Sequence, residues 1–273
     1  MRYVLIGLPV ALAIGYGVLR FAAKSAVYYP LRYPDGWWNL QRDVGATEVW
    51  LTTRDGVKLN AWWISAPNSR LATVFFHGNG GNLTHRVDHM RAIGAAGSAL
   101  LILDYRGYGK NEGTPSESGL YSDADAAYQW VIDQGYAAKQ IVIHGESLGA
   151  AVAVDLASRQ PCAGVVLEAP FSSAAQVAAS VLPLIGPLLM RDFDSKAKVG
   201  KIRAPMLFMH GDRDEVIPYK LGRALYDVAP EPKSFWTIDG AGHNNLLDVA
   251  GDRYREHLEV FYKALTSELR YGR

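Results

Sequence analysis

Apolar residues cluster after residue 45 into short dense blocks, each closed by glycine, proline or a polar turn residue. The blocks "ATVFFH", "ALLILDY", "QIVIHG", "GVVLEA", "PMLFMH" and "KSFWTI" have the length and the β-branched and aromatic content of buried strands. Before them, "EVWLTT" and "KLNAWWIS" flank Arg54-Asp55-Gly56-Val57 and predict an antiparallel hairpin. Between most strands lie helical patterns: Leu83 to Ala96, Ser118 to Gln134, Leu148 to Arg159, Tyr219 to Val228 and Asp252 to Leu269. Such alternation predicts an α/β domain over 45–270, about eight strands in a mostly parallel sheet with helices on both faces. One connection breaks the rhythm. Within 171–200, "VLPLIGPLLM" is apolar but carries Pro183 and Pro187, which interrupt a helix, so short helices forming an apolar lid are expected.

The first residues follow a different pattern. From Tyr3 to Leu19 seventeen residues carry no charge, and Arg20 and Lys24 follow. A helix of that length spans roughly 25 Å against a bilayer core of about 30 Å, and extension through Ala23 closes the gap. Residues 3–23 are therefore expected to form a transmembrane signal anchor, giving a single-pass membrane location of undetermined orientation. A cleaved signal peptide is the alternative. An aromatic-rich linker, 24–44, follows, with Tyr28, Tyr29, Tyr33, Trp37 and Trp38 suited either to a membrane interface or to packing on the domain.

Ligands of open α/β sheets bind beyond the carboxyl ends of the strands. Three predicted strands end there in His-Gly: His77-Gly78, His144-Gly145 and His210-Gly211. Ser147 follows the second, Asp214 the third, and His243 comes just after the last strand. Serine, acid and histidine in that order, each beyond a strand, suit nucleophilic catalysis. Gly145 and Gly149 flank Ser147 and leave room for a sharp strand-to-helix turn, which a serine that merely caps a helix does not need. A serine hydroxyl is weak until a base takes its proton; His243 is the candidate base and Asp214 its partner, with Asp212, Glu215 and Asp239 as nearby rivals. The candidate oxyanion donors are the amides of Leu148 and, from "HGNGGN", Asn79. Glu146, beside the serine, is expected to point away from the site.

"FFHGNGGN", "DYRGYGKNEG", "HGESLGA", "HGDRDEVIP" and "GAGHNN", in this order, resemble the α/β-hydrolase family, in particular its membrane-anchored and membrane-associated serine hydrolases, which include protein depalmitoylases and lipid hydrolases. The resemblance spans roughly Gly45 to Leu265 and implies Ser147, Asp214 and His243 as a triad with Asn79 and Leu148 as oxyanion donors. The cysteine-rich N-terminus of the depalmitoylating relatives is absent. The expected activity is hydrolysis of esters or thioesters of an apolar, lipid-like acyl group without a cofactor. A serine peptidase of the same fold and an idle membrane-tethered binding protein are the alternatives.

Composition narrows the rest. A net charge of +1 without a basic cluster gives no expectation of a nucleic acid partner, and a single cysteine, Cys162, rules out an internal disulfide and a multi-thiolate metal site. His85 and His89, four apart, lack the glutamate of a zinc-protease motif and read as a solvated helix face. His77, His144 and His210 read as structural hydrogen-bonding positions, and Asp104 with Arg106 as a buried pair shaping the rim of the site. No metal site is expected.

Overall fold

The computed structural model describes the backbone of residues 2–271 and the side chains of residues 14–267. In chain order the elements are α1 (Arg2–Ser25), β1 (Tyr29–Pro30), β2 (Thr47–Thr52), β3 (Lys58–Ile64), β4 (Ala72–Phe76), β5 (Gly80–Gly81), α2 (Val87–Ala95), β6 (Ala99–Leu103), α3 (Glu117–Asp133), β7 (Ile141–Glu146) and α4 (Leu148–Arg159). They continue as β8 (Gly164–Glu168), α5 (Ala174–Val181), α6 (Gly186–Leu189), α7 (Lys196–Val199), β9 (Met206–Gly211), α8 (Tyr219–Val228), β10 (Lys233–Ile238), α9 (Leu246–Ala250) and α10 (Asp252–Tyr271).

Eight strands form one sheet in the order β10-β9-β8-β7-β4-β6-β3-β2. β3 runs antiparallel to both of its neighbours, β2 and β6; the six strands from β10 to β6 are parallel to one another. Every residue of β4, β6, β8 and β9 is buried, which is why these strands read as continuous apolar runs rather than alternating ones. One apolar cluster joins the sheet to α3, α4 and α8, and a second joins it to α2, α9 and α10, so helices cover both faces.

The strand order reverses beside β7. β7 is followed by β8 on one side of it while β4 and β6 lie on the other, so a crevice opens at the carboxyl end of β7, where Ser147 stands. Between β8 and β9 come the short helices α5, α6 and α7, with Pro183 in the break after α5 and Pro187 in the first turn of α6.

The expected anchor, 3–23, falls on α1, and its side chains through Ala13 lie outside the described residues. Among the described residues no helix is long and apolar enough to cross a membrane. The segment after α1 lies against the domain. Tyr29 and Pro30 pair in parallel with Gly80 and Gly81, and Trp38 meets Trp62 edge-on at 6.0 Å. Tyr29, Tyr33 and Trp37 nevertheless stay exposed.

Candidate active site

Ser147 occupies the turn between β7 and α4 with φ 52° and ψ −113°. A non-glycine residue at such a φ costs about 1–3 kcal/mol and persists only where its surroundings hold it. Here its N–H donates to the Glu168 carbonyl at 2.8 Å on the neighbouring strand. The two glycines permit the turn because backbone passes where a side chain would begin. A Cβ on Gly145 would lie 2.1 Å from the Gly149 carbonyl oxygen, and one on Gly149 would lie 2.0 Å from that of Phe76. Ser147 precedes α4 in the position of a cap, yet its hydroxyl makes no capping bond.

That hydroxyl faces His243 instead, with Oγ 3.0 Å from Nε2. The other ring nitrogen, Nδ1, lies 2.7 Å from Asp214 Oδ2. With the proton on Nδ1, donated to the carboxylate, Nε2 presents a lone pair to the Ser147 hydroxyl. Asp214 is fixed by its other oxygen, which accepts the amides of Val216 at 2.9 Å and Ile217 at 2.7 Å. Burial works to raise its pKa, but hydrogen bonds from His210 and His243 outweigh burial and hold the carboxyl well below the usual range. Among the rival acids, Asp212 accepts the Gly240 amide at 2.6 Å and shapes the turn, and Glu215 reaches only the His243 amide, at 3.4 Å.

Asn79 and Leu148 both line, together with Ser147, an apolar cavity of about 220 Å³. Asn79 is held from three directions: its carbonyl accepts the Tyr29 amide at 3.1 Å and the Tyr108 hydroxyl at 2.8 Å, and its side-chain amide donates to the Val27 carbonyl at 3.1 Å. The remaining walls come from α1 and its end (Ala23, Ala26, Val27) and from the β8–β9 connection, including Val177 and Phe193. A second, more polar cavity of about 450 Å³ meets Ser147 from the other side, lined by the glycines of "GNGG", Arg86, Glu146 and His243.

Several side chains depart from the sequence expectation. Glu146 does not point away: it lines the polar cavity and pairs with Arg86, Nε to Oε2 2.5 Å. Burial opposes its charge, and Arg86 with His89 overcomes that penalty, so its carboxyl titrates below the usual range. Asp104 and Arg106 do not pair with each other. Arg106 turns to Asp123 at 2.7 Å and Asp55 at 2.8 Å, while Asp104 accepts the Leu83 amide at 2.7 Å and lies 3.4 Å from His77. Nor do His85 and His89 form a solvated face: His85 Nδ1 lies 3.3 Å from the Asn82 amide, and His89 reaches inward to Glu168 at 3.3 Å.

Glu168 is the functional-region residue that the sequence reading missed. It ends β8 directly beside β7, and its carboxylate gathers His144 at 2.5 Å, Tyr254 at 2.5 Å and His89 at 3.3 Å beneath the serine turn. Burial penalises its charge, and His89 and His144 more than offset this, drawing its pKa well down. The available signal was a lone carboxylate closing the apolar run "GVVLE". His77, His144 and His210 each hold a hydrogen bond at their strand end, His77 to the Gly78 carbonyl at 2.7 Å and His210 to that of Ile217 at 3.0 Å. The one thiol, that of Cys162, is pushed up to about 12 by burial and lines a separate cavity.

Residues 67–195 match the protein family described as "Serine aminopeptidase, S33". The chain is similar to alpha/beta hydrolase domain-containing protein 17C of Mus musculus, 35% identical over 239 residues that cover 85% of this chain and 72% of the relative. It is also similar to a Mycobacterium tuberculosis protein described as uncharacterized, 38% identical over 208 residues, 74% of each chain. Among solved structures, an esterase of Pyrococcus furiosus superposes with a TM-score of 0.72 at 22% identity, covering 87% of this chain and 98% of the esterase.

Proposed function

Since this chain belongs to the α/β-hydrolase family and is a hydrolase of that fold, we propose that it is a membrane-anchored serine hydrolase that cleaves carboxylic esters or thioesters of an apolar acyl group. One observation carries the reading: the Ser147–His243–Asp214 hydrogen-bonded chain opens at the meeting point of an apolar and a polar cavity. The apolar side suits an acyl chain and the polar side a leaving alcohol or thiol. Ser147 Oγ attacks the carbonyl carbon while His243 Nε2 takes its proton, and the amides of Asn79 and Leu148 receive the oxyanion. As the carbon–oxygen or carbon–sulfur bond breaks, His243 returns the proton to the leaving group. A water deprotonated by His243 then releases the acid and frees Ser147.

The membrane part of the proposal rests on the outer surface. Ile14, Val18, Leu19 and Phe21 of α1 and Val181, Leu184 and Leu188 of the β8–β9 connection are all more than half exposed, and the Tyr16 hydroxyl donates to the Leu188 carbonyl at 2.8 Å. Two adjoining apolar surfaces beside one site suit a lipid boundary, and the uncharged run 3–19 supplies the anchor. The described family name favours a second reading, an aminopeptidase. That activity needs a carboxylate for the substrate ammonium, and the one on the polar side, Glu146, is already neutralised by Arg86. Two assays decide. A fluorophosphonate probe should label the wild type and not Ser147→Ala; labelling of the variant would remove Ser147 from the mechanism. p-Nitrophenyl acyl esters should turn over where aminoacyl p-nitroanilides do not, and the reverse pattern would favour the peptidase.

A further inference from the structure

Beside the apolar cavity over Ser147 lies a second one of about 370 Å³, and the two share two wall residues, Val27 and Phe193. Phe193 is buried, with its ring edge-on to Tyr28 and Tyr121 at 6.5 and 6.0 Å. Its backbone is held at φ 55°, an unfavourable conformation for an aromatic residue. Neighbouring contacts enforce it: the Phe193 amide donates to Glu117 Oε1 at 2.8 Å, and the preceding Asp192 is tied to Lys24 of α1 at 2.9 Å. The ring is therefore placed between the cavities against local preference. Beyond it, the second cavity runs under the end of α1 toward Phe21, which is 75% exposed. Lys24 and Asp192 on its rim neutralise each other, and the third charged wall residue, Glu117, accepts the Phe193 amide and the Tyr121 hydroxyl with Lys198 at 3.9 Å, so each charge there has a partner other than the passing chain.

Resting on the acyl-hydrolase reading above, we infer that Phe193 is the partition that sets acyl chain length. Short chains fill the cavity over Ser147; a longer chain running toward the second cavity is stopped at the ring and reaches the outer face beside α1 by that route only when the ring is removed. The site thus takes short- and medium-chain acyl groups, and α1 forms part of its wall.

The test compares kcat/KM for p-nitrophenyl butyrate and p-nitrophenyl palmitate. The wild type should favour butyrate, and Phe193→Ala should raise the palmitate-to-butyrate ratio roughly tenfold or more, a gain that general damage does not produce. Phe193→Gly accompanies it, because glycine takes a positive φ without penalty and keeps the loop if alanine does not. A wild type that cleaves palmitate as readily as butyrate, or an unmoved ratio in variants that the fluorophosphonate still labels, overturns the partition and leaves the hydrolase reading standing. If no ester is turned over and Ser147 is not labelled, the hydrolase reading itself has failed.

Discussion

Gly145 and Gly149 have no tolerance for a side chain, because the atoms a Cβ would strike belong to backbone on β4 and α4 and not to a flexible side chain. Gly149→Ala is expected to cost roughly 3 kcal/mol or more in urea unfolding, at the upper end of overpacking effects; an unchanged midpoint would contradict the packing described. Asp214→Asn presents a different case. The amide leaves the backbone contacts to Val216 and Ile217 partly intact but no longer fixes the His243 tautomer, so kcat for a p-nitrophenyl ester should fall about 10⁴-fold with a far smaller change in Tm. At this scale the sequence was informative where a candidate residue sits directly beyond a strand. Ser147, Asp214 and His243 each follow an apolar run that fixes where the side chain emerges. Glu146 was misplaced because its partner, Arg86, comes from the connection after β5, whose path depends on tertiary packing. Glu168 was missed for a similar reason: a carboxylate at a strand end looks solvated until His89, His144 and Tyr254 are brought around it from three other elements.

α2 shows how one element joins the site to the protein's charge state. His89 projects from it toward Glu168. Burial disfavours the imidazolium, but the attraction of the carboxylate is stronger and raises its pKa above the ordinary value. A raised histidine stabilises the fold fully below its unfolded value of about 6.5, and that contribution is lost as pH rises through the folded value. For Glu168 the sign is opposite: its depressed carboxyl stabilises above about pH 4.3 and less as pH falls through the folded value. His89→Gln should therefore lower Tm by several degrees near pH 6, with ~1 kcal/mol worth about 2–4 °C, and by less near pH 9. Differential scanning fluorimetry across that range checks it, and a gap that widens with pH would refute the pairing. The eight main strands were legible for different reasons: burial on both faces makes β4, β6, β7, β8 and β9 continuous apolar blocks, whereas the half-exposed β2 and β10 and the partly buried β3 showed through their β-branched and aromatic content and the turn residues beside them. α4 and α8 matched their predicted bounds. The two-residue pair of β1 with β5 was invisible, since Gly80-Gly81 carries no side-chain pattern, and α9 is too short to show a helical period.

For the whole molecule, the question is whether α1 is only a tether. Ala23 and Ala26 wall the apolar cavity, so removing residues 1–26 should reduce turnover of p-nitrophenyl hexanoate roughly tenfold relative to the acetate. The same deletion should abolish flotation with phosphatidylcholine vesicles, which the full chain is expected to show. Equal loss for both esters would mean that α1 contributes nothing to chain recognition. Where a shortened chain begins also matters. Tyr29 donates its amide to the Asn79 carbonyl, and its short strand lies along Gly80 and Gly81, so the polypeptide leaving α1 serves as a brace for the glycine loop. A version trimmed to start beyond Leu31 for ease of purification would lose that brace. Its rate constants would then belong to a catalyst with a loosened loop, and a weak activity measured on it would be a property of the trimming.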